Sequence, residues 1–313
     1  MASTARAQQP ALRRVAMLGA SRPTPEMHRM SLDPFREEMR ARGWIEGSHY
    51  AIESRWAEGR VERYAQLAEE LVRLDPDAIV TATNAQVIAV RKLTRTIPIV
   101  MVAATDPVRF GLISSYARPG GNVTGLSTDA GQTIIVKQLD FLRQILPGIT
   151  RVGAIANAAN RTHPAVLSEL QVAARAQKLE ILPLSVREAA ELEPAFMRLK
   201  EQRAQALLVV LDGLFVLESV RIGALSAKHR LPTASGWPGI AQAGGLLSYA
   251  TDFADLYRRA AGYVDRILKG AKPGELPVEQ PTRFELIINR KAAQALGIDV
   301  PQAMLVRADR VIE

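Results

Sequence analysis

Short runs rich in Val, Ile and Leu alternate with longer amphipathic stretches along most of this 313-residue chain. A strand that is apolar on both faces must be covered on both faces. The intervening stretches supply helices that can cover it, so the alternation is the pattern of parallel sheets in an α/β protein. Strands are expected at 14–18, 50–55, 78–81, 97–102, 123–126, 151–155, 179–184, 206–211 and 246–249, and helices near 30–42, 60–73, 85–95, 134–146, 163–177, 187–201, 214–229 and 253–269.

One interruption divides the pattern. Arg118-Pro119-Gly120-Gly121-Asn122 is dense in turn formers, and the rhythm restarts at Arg151, so two halves of similar size are implied. The chain length suits two domains. Near the end, the Pro- and Gly-rich linker 269–277 leads to one more strand at 282–289, so the chain is expected to cross between the halves more than once. The expected division is a tail at 1–10, a first lobe of 11–124 plus 251–281, and a second lobe of 125–250 plus 282–313.

At 48% hydrophobic residues the chain can fill two cores. Its 40 Lys and Arg against 32 Asp and Glu give a net charge of +8, which taken alone invites nucleic acid or an anionic membrane surface. The basic residues are scattered, as at Arg13-Arg14, Arg91-Lys92 and Arg258-Arg259, and form no block of like charge. That is a solvated surface, and no nucleic-acid partner is expected. No apolar stretch is long enough for a helical membrane span. The absence of cysteine removes disulfides, thiolate ligands and thiol nucleophiles, and suits an oxidising compartment without requiring one. Thr4-Ala5-Arg6-Ala7 ahead of Gln8-Gln9-Pro10 has the A-x-A form of a signal-peptidase site, without the charged and apolar regions that precede one. Residues 1–7 read as the stub of an export signal, the alternative being an ordinary tail.

The common phosphate-loop, dinucleotide, nucleophile-elbow and zinc-helix motifs are missing. His28, His49, His163 and His229 lie far apart and read as surface residues, and the acid pairs Glu37-Glu38 and Glu69-Glu70 as solvated charge. No metal and no cofactor are expected. What remains is a set of strand ends carrying small polar or acidic residues: Ser21, Thr83-Asn84, Thr105-Asp106, Asn157 with Asn160, and Asp212. In an open α/β sheet such ends share the edge where ligands bind.

The helix opening at Asn84 suits a carboxylate, because unpaired amides and the positive end of the helix dipole meet there. Asn84 acting as the cap of its own helix is a compatible reading. Asp106 could take an amino group or hydroxyls, or could simply start a helix with Pro107; Asp212-Gly213 could be no more than a turn. Aromatic residues make up only 5% of the chain, and Phe215, Trp237 and Tyr249 fall in loops or strand ends of the second half, either as core or as an apolar wall for a ligand.

Three segments, DPVRFGLISSYARPGGNVTGLST (106–128), AGGLLSYATDFADLYRRAAGYVDRILKGAKPGELPVEQPTRFELIINRKAAQALGI (243–298) and VRADRVIE (306–313), closely resemble the ABC-transporter substrate-binding proteins of the tryptophan/tyrosine-binding type. The similarity runs over almost the whole chain from about Leu12. It implies the periplasmic-binding-protein type I fold: two Rossmann-like lobes with parallel sheets, three crossovers and a ligand cleft between them. It implies a periplasmic protein that hands its cargo to an ABC permease in the inner membrane. It also implies that the cleft is lined near Ser21, Asn84, Ala85, Thr105, Asp106, Thr128, Asn157, Asp212, Phe215, Trp237 and Tyr249. The chain departs from its relatives at Thr83-Asn84-Ala85 and at Gly236-Trp237-Pro238-Gly239-Ile240, both on the expected ligand wall.

The expected function is therefore capture of a small solute by hinge closure, by a monomer that is not an enzyme. The expected ligand is an amino acid or related carboxylate with an aromatic or branched body. Its carboxylate would sit at Asn84, with Asp106 or Asp212 taking an ammonium or hydroxyl. Two alternatives stand beside this: an enzyme acting on a sugar or phosphate, for which no nucleophile–base pair is visible, and a ligand-sensing module of a regulator, which would need a DNA-binding or output domain.

Overall fold

The most uniformly apolar runs become the centres of two sheets. A computed structural model describes residues 12–128 and 134–313; the tail expected at 1–10 lies outside the described residues. Strands β1 (Arg13–Gly19), β2 (Tyr50–Trp56), β3 (Ala78–Thr81), β4 (Ile99–Ala104) and β5 (Val123–Ser127) form a five-stranded parallel sheet in the order β2-β1-β3-β4-β5. Strands β6 (Arg151–Asn157), β7 (Glu180–Val186), β8 (Ala206–Val209), β9 (Thr233–Ser235), β10 (Leu247–Thr251), β11 (Phe284–Asn289) and β12 (Arg310–Ile312) form a seven-stranded sheet in the order β12-β11-β10-β9-β8-β6-β7. β3 (AIVT) and β8 (ALLV) are buried at every position, as strands covered on both faces must be.

The helices are α1 (Pro25–Met30), α2 (Leu32–Ala41), α3 (Tyr64–Arg73), α4 (Asn84–Leu93), α5 (Ile134–Ile145), α6 (His163–Ala176), α7 (Leu192–Glu201), α8 (Gly213–Leu217), α9 (Ser219–Lys228), α10 (Pro238–Gln242), α11 (Phe253–Leu268), α12 (Arg290–Leu296) and α13 (Gln302–Arg307). Most cover the sheet whose strands they join. α11 does not: it leaves β10 of the second sheet, yet its buried stripe of Leu256, Ala260, Tyr263 and Val264 packs with Val15, Val80 and Val100 of the first. The chain then runs beside β5, where Glu279 N–H donates to Gly125 O (3.0 Å) and Ser127 N–H donates to Glu279 O (2.9 Å), before returning to the second sheet as β11.

This return explains one departure from expectation. β11 pairs antiparallel with β10, the exception in sheets otherwise parallel. The strand arrives from the other lobe and not through a local crossover helix, so nothing forces it parallel. The single helix expected at 214–229 is two, α8 and α9, meeting at Glu218. A division after residue 124 would cut β5, which is one continuous strand of the first sheet.

Candidate functional site

The carboxyl ends of strands from both sheets meet at one cavity of about 120 Å³. The first sheet contributes Thr83 and Asn84 after β3, Ala103 and Thr105 at the end of β4, Phe110, and Thr128 after β5. The second contributes Gln138 on α5, Asn160, Thr162 and His163 at the start of α6, Leu211 after β8, Gly236 after β9, Thr251 on β10 and Phe253 on α11. A cavity of about 150 Å³ with apolar walls holds benzene, so the space is on the scale of one ring or a branched chain. An adjoining cavity of about 70 Å³ shares Thr83, Leu211 and Phe253 and adds Ser21, Trp56, Asp212 and Trp237.

On the first lobe, the N-cap of α4 is Thr83 and not Asn84. Gln86 Oε1 accepts from the amides of Ala82 and Thr83, both at 2.9 Å, completing a capping box. Asn84 lies inside the first turn, with its side chain committed elsewhere: Nδ2 donates to Thr105 O (2.6 Å) and Oδ1 accepts from Thr105 N–H (2.9 Å). This clamp joins α4 to the end of β4. Gln86 N–H already bonds the Thr83 carbonyl at 3.1 Å, so the positive end of α4 meets the cavity at Thr83 and Asn84. The hydroxyls of Thr105 and Thr128, 3.2 Å apart, stand beside them. Asp106 has φ 41°, and its Oδ1 accepts from Arg109 N–H at 3.1 Å. Its carboxylate caps the turn that follows β4, and among the described residues the cavity wall takes Thr105 and not Asp106.

On the second lobe, Asp212 is enclosed by donors. Oδ1 accepts from Asn157 Nδ2 (2.8 Å) and Leu214 N–H (3.0 Å), and Oδ2 accepts from Asn160 Nδ2 (2.9 Å). It is the N-cap of α8, held by the two asparagines that follow β6. An Asp212 so committed is no longer a natural partner for a ligand ammonium. His163, expected on the surface, is only 3% exposed. Burial lowers its pKa more than nearby Asp212 raises it, so the ring is neutral. Its Nδ1 accepts from Asn157 N–H (2.9 Å), which puts the proton on Nε2. His163, Asn157 and Asp212 together brace the loops after β6 and β8.

The expected aromatic wall is mostly elsewhere. Trp237 lines the smaller cavity, edge-on to Phe253 at 5.8 Å between ring centres. Phe215, one turn inside the capped α8, is 1% exposed and packs in the core with Ile155 and Phe196. Tyr249 stacks on Phe284 at 5.5 Å and meets Phe141 edge-on at 5.0 Å. Ala85 lies on a separate outer groove with Val61 and Arg161. The structure therefore brings Asn84, Thr105 and Thr128 to the main cavity and Ser21, Asp212 and Trp237 to its neighbour, while Asn157 acts through Asp212.

Sequence reasoning missed Gln138, Thr251, Phe110 and Phe253. Thr251-Asp252-Phe253 repeats the strand-end-to-helix pattern of the other strand ends, but β10 runs two residues beyond the expected end at 249. Gln138 interrupts the apolar face of α5 between Ile135 and Leu142, a polar residue at a core position.

The family described as ABC transporter substrate binding protein matches residues 28–312. A tyrosine-binding protein of Clostridioides difficile is 25% identical over 264 residues, covering 84% of this chain and 75% of that protein. The crystal structure of a conserved domain protein from Vibrio cholerae superposes with a TM-score of 0.87 at 25% identity, over 96% of this chain and 99% of that one. The structure of an ABC domain in complex with L-Trp from Streptococcus pneumonia gives the same TM-score, 0.87, at 22% identity, over 96% of this chain and 100% of that one.

Proposed function

The chain belongs to the ABC transporter substrate binding proteins, and from that premise we propose that it is the extracytoplasmic solute receptor of an ABC importer. It captures an amino acid or related carboxylate with an aromatic or branched body and delivers it to a permease in the inner membrane. The observation that carries this reading is the cavity itself, walled by the strand ends of both lobes, which also come close at Ala20 and Gly213. The first lobe runs to the end of β5 and regains α11; the second holds the remaining strands. The protein acts as a monomer, by binding and release without chemistry on its cargo.

The ligand carboxylate sits at the first turn of α4, where amides, the helix dipole and the Thr105 and Thr128 hydroxyls favour an anion. The apolar body packs on Phe110, Ile134, Val166 and Phe253. The tyrosine-binding relative and the L-Trp complex support an amino acid in this place. Hinge closure brings the second wall onto a ligand already resting on the first, and the ligand shifts the open–closed balance by its preference for the closed form.

The test is a thermal-shift screen of amino acids, aromatic and aliphatic carboxylates, and the corresponding uncharged amides. A ligand at 100 times its Kd adds about 2.7 kcal/mol to stability. Carboxylates that raise the melting temperature where their amides do not are the expected result. Silence across the whole set would end the proposal.

A further inference from the structure

Outside the main cavity, a groove of about 600 Å³ runs between the two lobes. On the first lobe its wall is one face of α4, where Ala85, Ile88, Ala89 and Lys92 recur at helical spacing, with Val61 and Glu62 ahead of α3. On the second lobe the wall is the loop after β6, with Ala159, Arg161 and Thr162, and Arg187 just beyond β7. Thr162 lines the main cavity as well, so the groove adjoins it.

The charges on these walls are uncompensated. Lys92, Arg161 and Arg187 are exposed, and among the described residues none of them forms an ion pair. Neither does Glu62, the one carboxylate on the groove wall. Neighbouring cations behave differently: Arg60 and Arg63, just before α3, both face Glu58, at 4.0 and 3.3 Å. Three cations against one acid leave an excess of two positive charges. α6 also begins here, and its N-cap Thr162 makes no side-chain capping bond, so the positive end of a 14-residue helix adds to the field.

We propose that this groove binds a small organic dicarboxylate, one carboxylate held by Lys92 of the first lobe and the other by Arg161 and Arg187 of the second, with its methylenes on Ala85, Ile88 and Ala89. The volume falls within the roughly 300–1,000 Å³ of small-molecule sites, and an apolar floor under a charged rim suits a short carbon chain. The cations stand on opposite walls, so a compact anion satisfies one wall at a time and two separated carboxylates satisfy both. A guanidinium takes a carboxylate through two parallel hydrogen bonds, and an ammonium takes one as a point charge. Because the two anchors lie on different lobes, the diacid favours the arrangement that holds them together. The site is separate from the one proposed for the cargo and does not depend on it.

Amide NMR titration of the full chain in low-salt buffer with succinate, glutarate, adipate and the monoacid butyrate tests this. The best of the three diacids should bind at least about threefold more tightly than butyrate, the worth of a second exposed ion pair. Lys92→Gln and Arg161→Gln should each bring that diacid to within about twofold of butyrate. Lys291→Gln on α12 removes the same charge outside the groove and should leave the preference unchanged. All three positions are exposed, so none of these variants disturbs the cores. Absence of diacid binding, butyrate bound as tightly, a preference that survives in Lys92→Gln or Arg161→Gln, or an equal loss in Lys291→Gln each overturns the proposal. The thermal-shift screen judges the solute-receptor reading separately.

Discussion

Gly213 opens α8 where the two lobes touch, and the structure allows the effect of a single methyl there to be worked out. A β-carbon on Gly213 would lie 2.6 Å from the carbonyl oxygen of Ala20 and 3.0 Å from its carbon. Both obstructing atoms are backbone, so no rotamer can yield. To restore 3.0–3.4 Å the lobes would have to part at this point by roughly 0.4–0.8 Å. The seam is tight elsewhere too, since a β-carbon on Gly59 would meet the α-carbon of Leu214 at 3.0 Å. Overpacking of this kind costs about 1–3 kcal/mol. If the lobes part without ligand, as proposed, the open arrangement does not feel it; the strain then falls on closure and should weaken ligand binding by roughly 5- to 150-fold. Calorimetry on Gly213→Ala with the tightest acid from the thermal-shift screen measures this loss, and ligand-free melting should show each lobe as stable as before. Gly148→Ala, where a β-carbon meets open space, is the control. Wild-type affinity in Gly213→Ala would mean that the bound form does not bring Ala20 against Gly213, and that closure at this seam is not what holds the ligand.

Two further outcomes follow from the site. Asn84→Asp sets a negative charge at the positive end of α4 and removes the donor to Thr105 O, so carboxylate ligands should lose tenfold or more in affinity, on the order of the charge–dipole effect and the lost bond together; an unchanged titration would put the anion elsewhere. Burial holds His163 below its ordinary pKa of 6.5. The unfolded chain therefore takes up a proton below that pH which the native protein does not. Stability should be full above about 6.5 and should fall as pH drops, by up to about 1.4 kcal/mol per pH unit. Calorimetric melting across that range, compared with His163→Gln, checks it; equal slopes in the two proteins would refute the assignment.

What could be read from the sequence was whatever depends on local pattern. β3 and β8 are buried on both faces and so carry unbroken apolar runs, and the strand ends at Thr83-Asn84 and Thr105 follow from a rule about sheet edges, whereas Thr128 is implied by the family resemblance alone. Side-chain commitments across the fold carry no such signal. Nothing local distinguishes a free Asp212 from one bound by Asn157, 55 residues earlier, or an exposed His163 from one buried under that pair. Phe215 and Tyr249 lie near strand ends in sequence, but the capped start of α8 turns Phe215 into the core, and Tyr249 packs half-buried against the rings of Phe141 and Phe284. β9 is three residues of Thr, Ala and Ser, buried in the middle of its sheet, and its short polar run hides it.

If the lobes close on the ligand as proposed, the need for glycine at the seam follows from how little free energy closure has at its disposal. An aromatic ring buries about 150–250 Å². If each lobe covers one face, the second contributes roughly 75–125 Å², or about 2–3 kcal/mol at 25 cal/mol per Å². That gain must exceed whatever opposes closing. A methyl between Ala20 and Gly213 opposes it by an amount of the same size, enough to cancel the contribution of the second lobe without touching the ligand.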